Sequence, residues 1–399
     1  MIDSHRLFKG AHVMTGDTNG LALVLSGGGA RAAYQVGFLK CLARNFPDLN
    51  IPIITGVSAG AINAAFLANH TGTFVEAVEE LSGLWRKLSV DQVFCVDTWK
   101  LIRNVFRWGG RLISGGISKE SSARSLLDST PLRELLQKVL LPQGNVIAGI
   151  RRNLQHGKLK AFAITGTNYA TGQAVTWVMG KEIRMWERPW RRSEATDITI
   201  DHIMSSASLP LLFPAVRVGN AWYGDGGIRQ SAPLSPAIYL GAKRILAIST
   251  RHLRSIEDAN TPVCIGYPPP AQIAGTLMNS IFLDALDQDV RTLKRTNQLL
   301  EQIPEEQHDD RHVVYLFAMR PSEDLGELAG GYEPELPYMF RHLSRGLGTH
   351  ETSSPDWLSM VMFNPNYLAR LVKLGENDAD QQTGEIMELM NVQTFTTHK

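Results

Sequence analysis

Two short units, one directly after the other, constrain this chain more than anything else in it. Residues 21–29 read LALVLSGGG, an apolar run ended by glycines, and ARAAYQVGFLKCLARNF follows with helical spacing. The pattern repeats at once, with IPIITG at 51–56 and the small-residue helix former AGAINAAFLANH at 59–70. Strand, tight turn and helix, twice over, predict a parallel sheet covered by helices. Both turns then fall at the C-terminal ends of parallel strands, the edge where open α/β sheets hold their sites.

Further strands are predicted at 159–169, 173–180, 243–250 and 311–319, and a final helical region at 365–390. The stretch 99–149 breaks the alternation and reads as an insertion or lid. Residues 321–354, rich in Gly, Pro and Ser, read as loop. A length of 399 residues, 44% apolar and 20% charged, supports a core without staples. Lys+Arg 40 against Asp+Glu 39 argues against a nucleic-acid partner held by bulk charge. Three scattered cysteines suit neither a disulfide framework nor a zinc site, and suggest a reducing compartment. With no apolar leader and no run of roughly 20 apolar residues, a cytoplasmic chain is expected, one that meets a membrane from one side only.

Three motifs carry chemistry. Gly56-Val-Ser58-Ala-Gly60 puts a serine on a sharp strand-to-helix turn, with glycines that leave room for its hydroxyl and a helix N-terminus behind it. Without activity it would be a plain corner. Gly27-Gly28-Gly29-Ala-Arg31, at the other turn, can aim successive N–H groups into one concavity. Dinucleotide and P-loop patterns are absent. A bare tight turn is the rival, and beside a serine elbow an oxyanion hole is the better reading. Asp225-Gly226-Gly227 offers a carboxylate as base, or simply a turn. His202, His252 and His312 compete for the role of base, since Ser…Asp…His is an α/β-hydrolase order.

In this order the three motifs resemble the patatin-like phospholipase family. So do Ser206-Ala-Ser-Leu-Pro210 with Phe213-Pro214, Ala232-Pro233 with Gly241-Ala242, and Leu358-Ser-Met with Phe363-Asn-Pro365 and Leu374-Gly375. The resemblance covers roughly 21–378, least well over 99–149. It implies a three-layer α/β/α sandwich with a mostly parallel central sheet. The implied domain plan is an N-terminal lead-in at 1–20, a catalytic domain at 21–320 and a C-terminal region at 321–399 packed on it. It also implies a lipid acyl hydrolase of the phospholipase A or lysophospholipase type, acting on glycerophospholipids or other lipid esters. In such an enzyme Ser58 is the nucleophile, Asp225 the base, and the amides of Gly28 and Gly29 hold the oxyanion. Arg31 would support that loop or a phosphate, and neither metal nor cofactor is needed. Ala32 departs from the family's glycine at its position: a need for positive φ there would strain an alanine and alter the oxyanion loop, whereas a place in the first helical turn would accommodate it, and the helical run AAYQVGFLKCL favours the second.

Peripheral membrane contact is expected through two segments. Residues 101–113, LIRNVFRWGGRLI, set Arg103, Arg107 and Arg111 on one helical face. Residues 185–192, MWERPWRR, mix tryptophan with arginine, as membrane-surface segments and ordinary exposed loops both do. The alternatives are a thioester hydrolase or transacylase of the same fold, and an inactive binding protein that retains it.

Overall fold

The two strands predicted from the opening units lie side by side at the centre of one mixed sheet. The computed structural model describes residues 20–95, 125–141 and 147–391, apart from positions 126, 254, 261, 263, 265, 283, 310, 347 and 353. Its strands are β1 Leu21–Leu25, β2 Ile53–Val57, β3 Ala161–Asn168, β4 Ala174–Gly180, β5 Glu187–Arg188, β6 Arg191–Ala195, β7 Val216–Val218, β8 Ala221–Asp225, β9 Arg244–Ile248 and β10 Tyr315–Met319. They run in the order β10-β9-β1-β2-β3-β4-β6-β5, with β8 on β3 and β7 on β8. From β10 to β3 every neighbouring pair is parallel, whereas β4 and β8 meet β3 antiparallel.

Among the described residues the first eight helices are α1 Ala33–Asn45, α2 Ala59–Asn69, α3 Phe74–Lys87, α4 Val90–Val93, α5 Thr130–Leu140, α6 Ala148–Gln155, α7 Ile200–Ser206 and α8 Ser235–Tyr239. The remainder are α9 Ile256–Ala259, α10 Pro270–Phe282, α11 Asp284–Leu300, α12 Leu325–Tyr332, α13 Tyr338–Gly346, α14 Asp356–Val361, α15 Pro365–Gln381 and α16 Thr383–Asn391. They cover both faces of the sheet. Alternate residues of β1 show why: Leu21, Leu23 and Leu25 join the core under α1, α2, α3 and α15, while Ala22 and Val24 join the one under α8 and α11. All five residues of β1 are buried, as in any parallel strand covered on both sides.

Three expectations change. Residues 321–354 are not loop: they hold α12 and α13, because Asp324 caps the first by accepting from the amides of Gly326 and Glu327, and Leu325, Ala329 and Phe340 are buried. Residues 185–192 are not a surface loop. They contribute β5 and the start of β6, with Trp186 buried and stacked on Tyr239 and Trp190 exposed under the Arg229 guanidinium. The predicted strand 311–319 begins only at Tyr315. Of the expected insertion at 99–149, the described part contains α5, whose Leu132, Leu136 and Leu140 enter the core. The segment 101–113 lies outside the described residues, as does the lead-in before residue 20.

Candidate active site

Ser58 sits between β2 and α2 at φ 56°, a left-handed conformation that a side chain of its kind holds only under constraint. The constraint is local packing. A side chain on Gly60 would collide with the carbonyl oxygens of Leu25 and Ser26, so the first turn of α2 presses against the end of β1. Gly56, in β2, lies as close to the Gly60 carbonyl. The Ser58 amide donates to Ser206 Oγ at 3.1 Å, and Ser206 in turn donates to the Thr165 carbonyl at 2.6 Å. The elbow is thereby tied to α7 and β3.

Asp225 ends β8. Its backbone is fixed on both sides: its N–H donates to the Ser208 carbonyl at 2.9 Å, and its carbonyl accepts from Thr167 Oγ1 at 2.8 Å. Its side chain is fully buried and accepts two hydrogen bonds, at Oδ1 from the Gly227 amide (2.9 Å) and at Oδ2 from Ser58 Oγ (2.6 Å). Gly226 and Gly227 open the short 3-10 turn that delivers the first of these. Burial in the protein interior pushes this carboxyl up to about 7, outweighing the two donors, which lower it.

The glycine turn lies against the same corner. An added Cβ on Gly27 would come within 2.9 Å of Ser58 Cβ. Gly28 and Gly29 take φ of 142° and 57°, and their amides have no acceptor among the described residues. That leaves two N–H donors beside the serine, the arrangement an oxyanion hole requires. Arg31 is buried just after this turn. Its Nε donates to Ser359 Oγ at 2.6 Å and its Nη2 to Asp356 Oδ1 at 2.6 Å, so the guanidinium braces the loop against α14. Ala32 has φ −65° and ψ −11°, helical angles at the start of α1 that an alanine adopts without strain.

The three histidines are occupied elsewhere. His202 accepts at Nδ1 from the Thr199 amide at 3.1 Å and meets the edge of Trp177, and burial lowers it to about 4, so it stays neutral. His252 Nδ1 bonds the Pro321 carbonyl and His312 Nε2 the Ala242 carbonyl, both at 2.9 Å. Among the described residues no cluster of His, Cys, Asp and Glu could hold a metal ion, and no helix is long and apolar enough to cross a membrane.

Ser58 and Gly29 open into a cavity of about 580 Å3 whose wall the sequence reading missed. Ile62 and Phe66 of α2, Leu81 of α3, Leu136 of α5, Phe213 and Phe363 make it mostly apolar, with Glu80, Lys87 and Lys138 also lining it. The signal for this wall was present in the amphipathic spacing of residues 74–88. Assigning it to a cavity required knowing that α3 and α5 both pack on α2 and line the same space.

A family model described as patatin-like phospholipase matches residues 23–238. VipD from Legionella pneumophila has a similar solved structure, with 14% identity, 93% of this chain and 67% of that chain covered, and a TM-score of 0.40. Human GIVD cytosolic phospholipase A2, solved with methyl gamma-linolenyl fluorophosphonate, is similar at 13% identity over 93% of this chain, with a TM-score of 0.44. The present chain spans only 58% of that human protein. None of the curated proteins compared with the chain matches it.

Proposed function

Because this chain belongs to the patatin-like phospholipase family, we propose that it is a lipid acyl hydrolase that releases fatty acids from glycerolipids through a Ser58–Asp225 dyad. The observation that carries this reading is the 2.6 Å hydrogen bond from Ser58 Oγ to Asp225 Oδ2 beside an apolar cavity of about 580 Å3. A volume of that size lies within the range of small-molecule sites, and its apolar wall suits an acyl chain better than a sugar or a nucleotide.

In this mechanism Ser58 Oγ attacks the ester carbonyl as its proton passes to Asp225 Oδ2. The carbonyl oxygen becomes an oxyanion held by the Gly28 and Gly29 amides and by the positive end of α2. The C–O bond to the alcohol breaks, and the alcohol leaves with the proton from Asp225. Water then attacks the acyl-serine, gives its proton to Asp225, and frees the fatty acid as Ser58 recovers its hydrogen. A carboxylate near 7 is a better base than an ordinary aspartate, because its proton affinity approaches what general-base catalysis at neutral pH favours.

The test is fatty-acid release from mixed glycerophospholipid vesicles by the full-length chain, wild type beside Ser58→Ala and Asp225→Asn. Each substitution should reduce release by roughly 10⁴-fold or more, and the double substitution should be no worse than the weaker single, as for groups that act as a unit. Release that survives Ser58→Ala would falsify the dyad. A folded wild-type protein without activity on any acyl ester or thioester would favour a binding role.

A further inference from the structure

The turn Gly27–Gly29 needs more than glycines to serve a reaction. Glycine adopts many backbone conformations at little cost, and three in a row leave the peptide planes between them free to turn. A donor stabilises an oxyanion best when its direction is set before charge develops. Each N–H is rigidly coupled to the carbonyl of the preceding residue, because the two lie on opposite sides of one planar trans peptide. Whatever holds the Gly27 carbonyl therefore aims the Gly28 N–H, and whatever holds the Gly28 carbonyl aims that of Gly29.

The second of these peptides is held by the backbone: the Arg31 N–H donates to the Gly28 carbonyl at 3.2 Å. The first is held by a side chain from a distant segment. Thr250 Oγ1 donates to the Gly27 carbonyl at 2.7 Å, and Thr250 is fully buried, so water does not compete for the bond. Ser26 Oγ also comes within 3.4 Å of this carbonyl, but a hydroxyl has one hydrogen, and the shorter contact of Ser26, 2.9 Å, is to the Ile248 carbonyl. Strand register explains the meeting. β1 and β9 pair in parallel with Leu25 opposite Ile248, so two residues further on Gly27 comes level with Thr250. Accepting at the carbonyl also polarises the peptide and strengthens its N–H as a donor. We propose that Thr250 is a positioning residue, whose hydroxyl fixes the Gly27–Gly28 peptide so that the Gly28 N–H is aimed at the oxyanion before the ester arrives. This rests on the Ser58–Asp225 reading above. Thr250 does not itself donate to the substrate, since its one hydrogen is spent on Gly27.

The test uses the full-length chain and a soluble nitrophenyl ester, with wild type, Thr250→Val, Thr250→Ser and Ser58→Ala side by side. Valine keeps the shape of threonine without its hydroxyl. In Thr250→Val kcat should fall by about 10- to 100-fold with KM little changed, as for a donor that is misdirected rather than removed. Thr250→Ser keeps the hydroxyl and should restore most of the wild-type kcat. A trifluoromethyl ketone with the same acyl chain adds to the serine and forms a tetrahedral oxyanion, so its affinity for Thr250→Val should weaken by the same factor as kcat/KM. The corresponding alkyl ether forms no oxyanion, and its affinity should not change. Should Thr250→Val lose its fold, Thr250→Cys offers a weak donor of similar size, and its kcat should fall below that of Thr250→Ser while the ether binds as before. A folded Thr250→Val with wild-type kcat, or one that loses affinity for ketone and ether alike, overturns the proposal. If Ser58→Ala keeps the wild-type rate, the dyad falls and takes this inference with it. An inert Ser58→Ala beside a fully active Thr250→Val sinks the present inference alone.

Discussion

Asp225 lies opposite Gly166 in the sheet, one step beyond the point where Thr165 of the same strand pairs with Val57. β3 outlasts β2, and β8 takes up the vacated pairing positions antiparallel to it. The last residue of β8 therefore arrives beside the residue that follows β2, which is Ser58. Residues 167 apart in sequence are joined by a 2.6 Å hydrogen bond because a single strand serves as template for both.

The raised Asp225 carboxyl gives a pH dependence of definite sign. A base must be ionised, so kcat/KM for an uncharged ester should rise with pH through about 7 and level off above it. Stability runs the other way. The folded value exceeds the unfolded one of about 3.9, so the native state holds the extra proton between the two, and stability is lost as pH rises through about 7. Asp225→Asn should accordingly melt a few degrees higher than wild type near pH 8, with the difference closing towards pH 4. A rate profile flat from about pH 5 to pH 9 would remove Asp225 as the base.

The glycine turn, as the proposed oxyanion loop, should respond to one methyl group. Gly28 takes φ 142°, and a Cβ there would run into the Thr250 hydroxyl. Gly28→Ala must move the loop, and its amide with it. The expected result is a fall in kcat of about 10²–10³ with KM little changed, comparable to the loss of one oxyanion donor. Steady-state kinetics on a soluble ester decide it, and an unaltered kcat would place the oxyanion elsewhere.

Chain-length preference should depend on the cavity wall. Ile62 lies one helical turn from Ser58, about 6 Å along α2, and Phe66 another turn beyond. Ile62→Trp fills empty space rather than packed core, so stability should hold while the ratio of long-chain to butyrate ester turnover falls at least tenfold. Equal losses for both esters would show that the acyl chain does not lie along this wall.

The Arg31 brace should matter more for stability than its distance from the chemistry suggests. Its side chain is 3% exposed and that of Asp356 14%, so Arg31→Met leaves a mostly buried carboxylate without its charge partner. Thermal or urea melts should register a loss of about 3–5 kcal/mol. Arg31→Lys should recover only part of it, because one ammonium cannot reproduce a fork that reaches both Ser359 and Asp356. A full recovery by lysine would reduce the interaction to simple charge.

Much of this molecule is written locally. The turns at Gly27–Gly29 and Gly56–Gly60 are legible because their conformations and close contacts admit so few residue types, and a buried parallel strand must be apolar throughout. These constraints operate within a few residues, and so any short window of the chain reports them. Residues 321–354 misled for the same reason: their glycines and prolines are local signals, whereas the burial of Leu325 and Phe340 that makes them helical comes from distant partners. The hairpin at 187–195 was likewise invisible in any window, and the apolar wall over Ser58 showed there only as the amphipathic spacing of residues 74–88. What the sequence by itself determined was the two corners and the residue types at them. Read residue by residue, the sequence left Asp225, His202, His252 and His312 open as partners of the serine, and only the family resemblance favoured Asp225. The contact itself is made by the tertiary structure, because it depends on which strand pairs beyond the end of β2, and pairing between distant segments leaves no mark on either segment alone.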